Sequence, residues 1–404
     1  MFLVLVLRKR LSVHFLFKLI VKGAVILMWF GVSLESGFAD QSENQKEGPG
    51  WHYGAYLDVA YLLDFNFPQN NLWRNKTTTT RVNELVPNLG LGYIRKQSTP
   101  HSPWGMELAL QGGDDTDGLV PGPLPGSVGQ IGGAPNLRYF SRANVSYFAS
   151  IGNGVTLTGG LFDSYIGRES FYAKDNFNYT RSYIADQSPY FLFGVKATSP
   201  ITDKVDLGLF IINGFNYLAE PNDAPSFGAQ IIWNPTSRLT ATQNLYYGSD
   251  QETNSLQFWR FFTDNSLEWN NGPVTLALSY DFGTQKSATA AGQPRFIWMG
   301  AAFVASWHIQ GPWSVALRPE FFWDPNGLIE GAEQLLQAIT TTVEYKFKVD
   351  PTQTTIFRLE YRFDSSTGSG GGFFKGGEVS PGVIGLTPSQ QLLILGLMMS
   401  FDSN

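Results

Sequence analysis

Residues 340–363 read TTTVEYKFKVDPTQTTIFRLEYRF, and this stretch decides the class of fold. Large apolar residues alternate with polar or charged residues in each half, on either side of the central Asp350-Pro351 pair. Successive side chains of a strand point to opposite faces, so each half is predicted to be a strand with one apolar and one charged face. A helix would scatter both sets around its circumference. A soluble sandwich suits such a ribbon, and so does a closed barrel with lipid outside and water inside.

The composition excludes several kinds of site. The chain has 404 residues, of which 15% are charged and 15% aromatic, with 43 Gly, 4 His and no Cys. Without Cys there are no disulfides, thiolate metal sites or Cys nucleophiles. No segment after residue 40 has the roughly 18 consecutive apolar residues of a membrane helix. We expect no cofactor and no catalytic residues.

Residues 1–39 have the pattern of an export signal. Five Lys or Arg precede the apolar run Gly23–Leu34, and Gly37-Phe38-Ala39 offers small residues for cleavage after Ala39. The alternative is a membrane anchor. We predict a signal peptide at 1–39, a short lead at 40–50 and one barrel domain at 51–404. Removing 1–39 leaves 28 − 5 = 23 basic and 34 − 1 = 33 acidic residues, a net charge of −10 that argues against nucleic acid as a partner.

Alternating segments recur along the whole chain and predict an all-β protein of sixteen strands. Most are long enough for a tilted strand to cross a bilayer. The predicted strands are 51–61, 82–94, 104–111, 137–149, 154–163, 190–199, 204–213, 226–234, 238–247, 258–270, 273–282, 295–309, 312–323, 336–348, 354–364 and 390–401.

The connections alternate in length, which favours a transmembrane antiparallel up-and-down barrel over a sandwich. Short turns such as Asn271-Gly272 and Gln310-Gly311 alternate with long loops such as 112–136 and 164–189. Short periplasmic turns and long outer loops are typical of outer-membrane barrels. Aromatic residues near both ends of the strands match the two interfacial girdles of such a barrel.

If the apolar set faces lipid, the charged set faces the interior. Unpaired charges without water would each cost several kcal/mol, so this interior is predicted to be hydrated, and sixteen strands leave room for an aqueous channel. The candidate pore-lining residues on the wall are Glu84, Arg138, Arg142, Asp163, Arg318, Glu320, Glu344, Lys346, Arg358, Glu360 and Arg362.

The loop 164–189 is the candidate constriction. It combines six aromatic rings with charged residues of both signs, and a loop folded into a lumen needs rings to pack and charges to set the field. The alternative is an outward cap. The charged residues that are candidates for the constriction are Arg168, Glu169, Lys174, Asp175 and Arg181.

The segment Thr158–Asn234 resembles the OmpL-like putative beta-barrel porin family. The resemblance rests on Gly160-Leu-Phe-Asp163, Gly167 with Glu169, and Asn178-Tyr-Thr-Arg-Ser182. Pro189, Gly194-Val195, Asn213-Gly214 and Asn83-Glu84 continue it. It covers about a fifth of the chain. It implies an integral barrel of the outer membrane with a channel and no catalytic residues.

Taken together, these features favour an outer-membrane porin for passive diffusion of small hydrophilic solutes or ions. Its other expected partners are outer-membrane lipid and the barrel-assembly machinery, which the near-terminal Phe401 would engage, and barrels of this size can form homotrimers. The alternatives are a closed structural or adhesive barrel and a lipolytic enzyme, which would need a Ser partner for His308 or His52. Asp114, Asp115 and Asp117 would suit a hard cation, but a solvated acidic loop is the favoured interpretation.

Overall fold

The computed structural model describes residues 50–119, 135–215, 217–219, 222–251, 256–288, 290–368 and 370–403. The predicted signal peptide at 1–39 and all but the last residue of the lead at 40–50 lie outside the described residues. Within the described ranges, no helix has the length and apolar character needed to cross a membrane.

Sixteen strands close into one antiparallel barrel, as predicted. Each strand pairs with its neighbours in the chain, except that β15 pairs with β18, and β18 closes the barrel on β1. The strands are β1 His52–Asp64, β2 Leu85–Lys96, β3 Trp104–Gly112, β4 Phe140–Ala149, β5 Val155–Asp163, β6 Phe191–Thr202, β7 Val205–Ile212, β8 Ser226–Thr236, β9 Leu239–Gly248, β10 Arg260–Asn271, β11 Val274–Lys286, β12 Arg295–Gln310, β13 Trp313–Asp324, β14 Gln334–Asp350, β15 Gln353–Thr367, β16 Phe373–Ser380, β17 Val383–Thr387 and β18 Ser389–Asp402.

The remaining elements lie in the long loops. Strands β16 and β17 form a separate hairpin between β15 and β18. Helix α1 is Asp114–Gly118 and helix α2 is Tyr183–Asp186. Short 3-10 turns occur at Pro135–Tyr139, Ala173–Asp175 and Leu256–Phe258.

The hairpin β14–β15 confirms the alternation seen in the sequence. Val343 pairs with Leu359 on the outer surface, where both are exposed. Glu344 pairs with Arg358 on the inner surface, where their side chains form a 2.6 Å ion pair. Apolar side chains therefore face lipid and charged side chains face the interior.

Tight turns join the strands at one end of the barrel. Gly272 and Gly311 each have φ +58°, a left-handed conformation that glycine adopts without strain and that two-residue hairpins require. Ser403 closes the same end, because its N–H donates to the carbonyl of Tyr53 at 2.9 Å. We call this the short-turn end and the opposite one the long-loop end.

Two predicted wall residues lie outside the strands. Glu84 precedes β2, which begins at Leu85, and pairs with Arg81 in the long loop. Arg138 lies in a 3-10 turn before β4 and pairs with Asp117 at 3.1 Å. Both predicted strands began too early, at 82 and 137, whereas β2 begins at Leu85 and β4 at Phe140. The two charged residues form ion pairs within their own loops instead of lining the wall.

Candidate functional site

The loop between β5 and β6, residues 164–190, lies inside the barrel, and we call it the lumen loop. The hydroxyl of Tyr179 donates to Asp58 on β1 at 2.7 Å. The N–H of Gly167 donates to Asp264 on β10 at 3.2 Å. Because neither strand adjoins β5 or β6 in the barrel, the loop must cross the interior to reach both.

Three arginines of the inner wall hold the lumen loop. Arg318 on β13 pairs with Glu169 at 2.7 Å and donates to the carbonyl of Thr180 at 2.6 Å. Arg358 and Arg362 on β15 donate to further carbonyls of the loop. Charge-assisted hydrogen bonds of this kind are about twice as strong as neutral ones. The guanidinium groups predicted to face water are therefore used to fix the loop.

Wall carboxylates bind the loop backbone beside these arginines. Glu360 on β15 accepts hydrogen bonds from the N–H groups of Tyr179 at 2.6 Å and Thr180 at 3.0 Å. Glu320 on β13 accepts from the N–H of Tyr183 at 2.6 Å. Buried backbone donors need partners, and here charged wall residues supply them.

The electrostatics of Glu169 depend on this contact. Burial of the carboxyl acts to raise its pKa, but Arg318, the hydroxyl and N–H of Ser182, and Arg168 outweigh burial and hold the pKa below its usual value. The ionised form of Glu169 is therefore the form that the folded loop stabilises.

A second loop, residues 65–84, enters the same interior. Lys76 is fully buried, pairs with Asp186 of the lumen loop and donates to the carbonyl of Arg181 at 2.6 Å. Burial lowers the pKa of Lys76, although Asp186 acts in the opposite direction. Arg181 in turn pairs with Asp115 of α1 at 2.9 Å. Arg181, a predicted constriction residue, is fully buried and joins three loops together.

The acidic loop at 114–117 is not the solvated loop that we favoured. Asp115 accepts from the N–H of Thr79 at 2.6 Å, and Asp114 accepts from the N–H of Thr80 at 2.9 Å. Burial raises the pKa of Asp115 to about 7. These carboxylates bind the inserted loop 65–84, and only Asp117 remains exposed.

The lumen loop also explains inward faces that are apolar. On β12, Trp298 and Ala302 share a buried cluster with Ile184 of the loop. On β18, the backbone of Gly396 lies so close to the ring of Tyr179 that a Cβ there would overlap it. On these two strands the lumen loop therefore packs against inner faces that carry apolar side chains or glycine instead of charges.

The wall at β3–β6 is different, because its charged side chains remain partly exposed. Arg142 on β4 pairs with Glu107 on β3 at 3.2 Å and with Asp163 on β5 at 3.1 Å. The side chains of Arg142, Glu107 and Asp163 are 13%, 20% and 49% exposed. Lys196 on β6 lies over the ring of Phe162, with its ammonium 4.6 Å from the ring centre. We call Glu107, Arg142, Asp163 and Lys196 the four-charge cluster.

The remaining candidate residues of the lumen loop and of β14 lie outside the four-charge cluster. Arg168 of the lumen loop pairs with Glu268 on β10 at 2.7 Å. Lys174 pairs with its neighbour Asp175 at 2.8 Å. Lys346 lies on the inward face of β14, towards its short-turn end.

Comparison with solved structures shows the fold of outer-membrane channels. The outer membrane channel DcaP of Acinetobacter baumannii has a TM-score of 0.52 at 9% identity, covering 88% of this chain and 96% of that chain. OmpT, an outer membrane protein of Vibrio cholerae solved in a trimer form, has a TM-score of 0.50 at 8% identity, covering 88% of this chain and 98% of that chain.

Sequence comparison assigns the family. No curated protein matches the chain. The family described as "Putative beta-barrel porin-2, OmpL-like" matches residues 50–401, almost the whole of the described barrel. The chain therefore belongs to this family of porins, as an integral multi-pass β-barrel of the outer membrane.

Proposed function

We propose that the barrel is a channel for passive diffusion of small hydrophilic solutes or ions, and that the passage follows the inner wall of β3–β6. The single observation that carries this proposal is the partial exposure of the four-charge cluster. A permeating solute needs water-accessible groups along its path, whereas the charged side chains of β13 and β15 that the lumen loop contacts, among them Arg318, Glu360 and Arg362, are buried.

The lumen loop forms the opposite side of this passage and limits its width. Tyr172 of the loop supports this geometry, because the Arg142 guanidinium lies 5.5 Å from the centre of its ring. Arg142 also lies 5.9 Å from the ring of Tyr93 on β2. Loop and wall thus meet at the four-charge cluster, where two cations and two anions set the local field for a passing ion.

Reversal potentials in planar bilayers test this path. We expect Arg142→Gln with Lys196→Gln to shift the reversal potential under a KCl gradient towards cation preference, because Glu107 and Asp163 then remain without counter-charges. The control is Lys204→Gln in the exposed turn between β6 and β7, which should leave the potential unchanged. An unchanged reversal potential in the double variant would show that the passage does not follow β3–β6. A wild-type protein without conductance would reject the proposed channel function.

A closed structural barrel is the second candidate, and the inserted loops favour it. Loops 65–84 and 164–190 bury charged wall residues that open channels leave hydrated. In that case the wild-type protein is silent in bilayers, and releasing the lumen loop is needed before any current flows. Single-channel recording of the wild type therefore separates the two functions.

We also infer assembly into a homo-oligomer. The V. cholerae protein of similar fold was solved as a trimer. A detergent-corrected mass of the purified protein tests this directly.

A further inference from the structure

Two carboxamides lie on the surface of the barrel that faces lipid. Gln243 on β9 and Asn265 on β10 are register partners, and both have the parity of the exposed residues Leu245 and Leu267. The amide nitrogen of Gln243 donates to the amide oxygen of Asn265 at 3.3 Å. The nitrogen of Asn265 donates to the hydroxyl of Thr263 at 3.2 Å. We call Gln243, Asn265 and Thr263 the amide patch.

The amide patch lies midway across the apolar band. Trp233 and Trp269 are exposed on the same surface towards the short-turn end, and Phe227 and Tyr247 are exposed towards the long-loop end. Gln337 and Gln391, which also point outward, lie close to the long-loop ends of β14 and β18. The amide patch is therefore at the depth where lipid offers no hydrogen bonds.

The bonds within the patch leave capacity unused. A carboxamide has two N–H donors and an oxygen with two lone pairs. Among the described residues, Gln243 uses one N–H in the bond to Asn265 and its oxygen has no partner within the chain. An amide without hydrogen-bond partners is unfavourable in hydrocarbon, so contact with protein satisfies this surface better than contact with acyl chains.

The surface around the patch is concave. A shallow depression of about 420 Å³ spans β8–β11 and includes Gln243 and Asn265 in its lining. The small side chain of Ala241 lies between the larger Trp233 and Leu267. Small residues at a membrane interface allow close approach, and polar side chains beside them hydrogen-bond across it.

We propose that the amide patch is the contact through which one copy of this chain binds a second copy, next to a symmetry axis along the membrane normal. Rotation about such an axis does not change the depth of a residue in the bilayer. The amide patches of two copies therefore lie at the same depth and can contact each other beside the axis. Carboxamides donate and accept equally, which makes the patch complementary to itself. The proposal rests on the homo-oligomer inferred above and not on conduction.

Leucine substitutions test the contact. We expect Gln243→Leu with Asn265→Leu to lower the association constant at least about tenfold, because the variant loses the hydrogen bonds between the two amide patches. The measurement is the detergent-corrected mass by light scattering, with the far-UV circular dichroism spectrum as a check that the barrel is intact. Gln337→Leu is the matched control and should leave the mass unchanged.

A second variant tests the contact even if the double leucine variant does not fold. The chain has no Cys, so Gln243→Cys introduces a single thiol. Oxidation of outer membranes that contain this variant should give a band of twice the chain mass, and Gln337→Cys should not. Either of two results would overturn the proposal: a monomeric wild type with no cross-link, or a cross-link to a protein of different mass. If the wild type does not conduct but the Gln243→Cys variant still cross-links, only the proposed channel function is rejected.

Discussion

The inner wall has two sides that differ in what covers their charges. On β13 and β15, Arg318 and Arg362 have no exposed side-chain surface, because the lumen loop packs directly on them. On β3–β5, Arg142 keeps 13% and Asp163 keeps 49% of the side chain exposed. Both sides have the same alternation of inward charges. The difference teaches that alternation places a charge inside the barrel, whereas a loop decides whether that charge meets water.

The two sides also differ in what holds their charges. On the covered side, Arg318 and Arg362 each form ion pairs with carboxylates and donate hydrogen bonds to backbone carbonyls of the lumen loop. Removing one member of such a buried network leaves its partner charged and without compensation. On the open side, water can replace a lost partner, so the same substitution should cost less. Four experiments test this contrast, given from the largest expected effect to the smallest.

The largest effect is expected from Arg318→Ala. Glu169 would lose its guanidinium partner in a buried site, while Glu320 would keep only its pair with Arg362, at a cost of about 3–5 kcal/mol. The lumen loop should then detach, with lower stability in urea and a higher unit conductance. Arg238→Ala in the exposed turn between β8 and β9 is the control and should change neither. Retained stability and unchanged conductance would show that the loop does not depend on this wall.

Gly160→Ala should disturb the open side. Gly160 has φ +124°, and a Cβ there would overlap the carbonyl of Ala143 on the neighbouring strand. We expect a loss of up to about 3 kcal/mol in stability and a displaced Asp163. Gly159→Ala is a matched control, because nothing lies within 4 Å of its Cβ position. Urea unfolding of both variants measures the difference, and equal stability would contradict the strain.

Tyr179→Phe should weaken the attachment of the lumen loop to β1. The change removes the hydrogen bond to Asp58, while Tyr56 still donates to the same carboxylate at 3.1 Å. An intramolecular hydrogen bond contributes up to about 1.5 kcal/mol, and we expect a loss of that size in urea unfolding. A loss as large as that of Arg318→Ala would mean that β1 contributes as much to loop attachment as β13.

Acid should loosen the covered side by the smallest amount. The pKa of Glu169 is lower in the folded protein than in the unfolded chain, so its contribution to stability is present above the unfolded pKa. That contribution disappears as the pH falls below the usual carboxyl range near about 4.3 and through the folded pKa. Protease cleavage of the lumen loop should therefore increase at acid pH. Glu169→Gln should lack this component, and an identical pH profile in the variant would exclude Glu169 as its source.

Much of the barrel was predictable from local pattern. The strand count, the antiparallel order and the inward direction of Arg318, Glu320 and Glu360 follow from a period of two, which needs no knowledge of distant residues. The predictions that departed from the structure concern loops. Glu84 and Arg138 lie in loops and form ion pairs there with Arg81 and Asp117. Arg181 is buried because it pairs with Asp115, which lies 66 positions away in the sequence.

By itself, the sequence determined a closed barrel with an apolar outside and a charged inside, because side chains in a strand alternate between two solvents. Only the tertiary structure decided which inward charges meet water. Arg318 and Arg142 look alike in the sequence, yet the lumen loop covers Arg318 completely and leaves the side chain of Arg142 13% exposed. The reason is physical: the alternation is local, whereas the path of a loop across a lumen depends on ion pairs between residues more than a hundred positions apart.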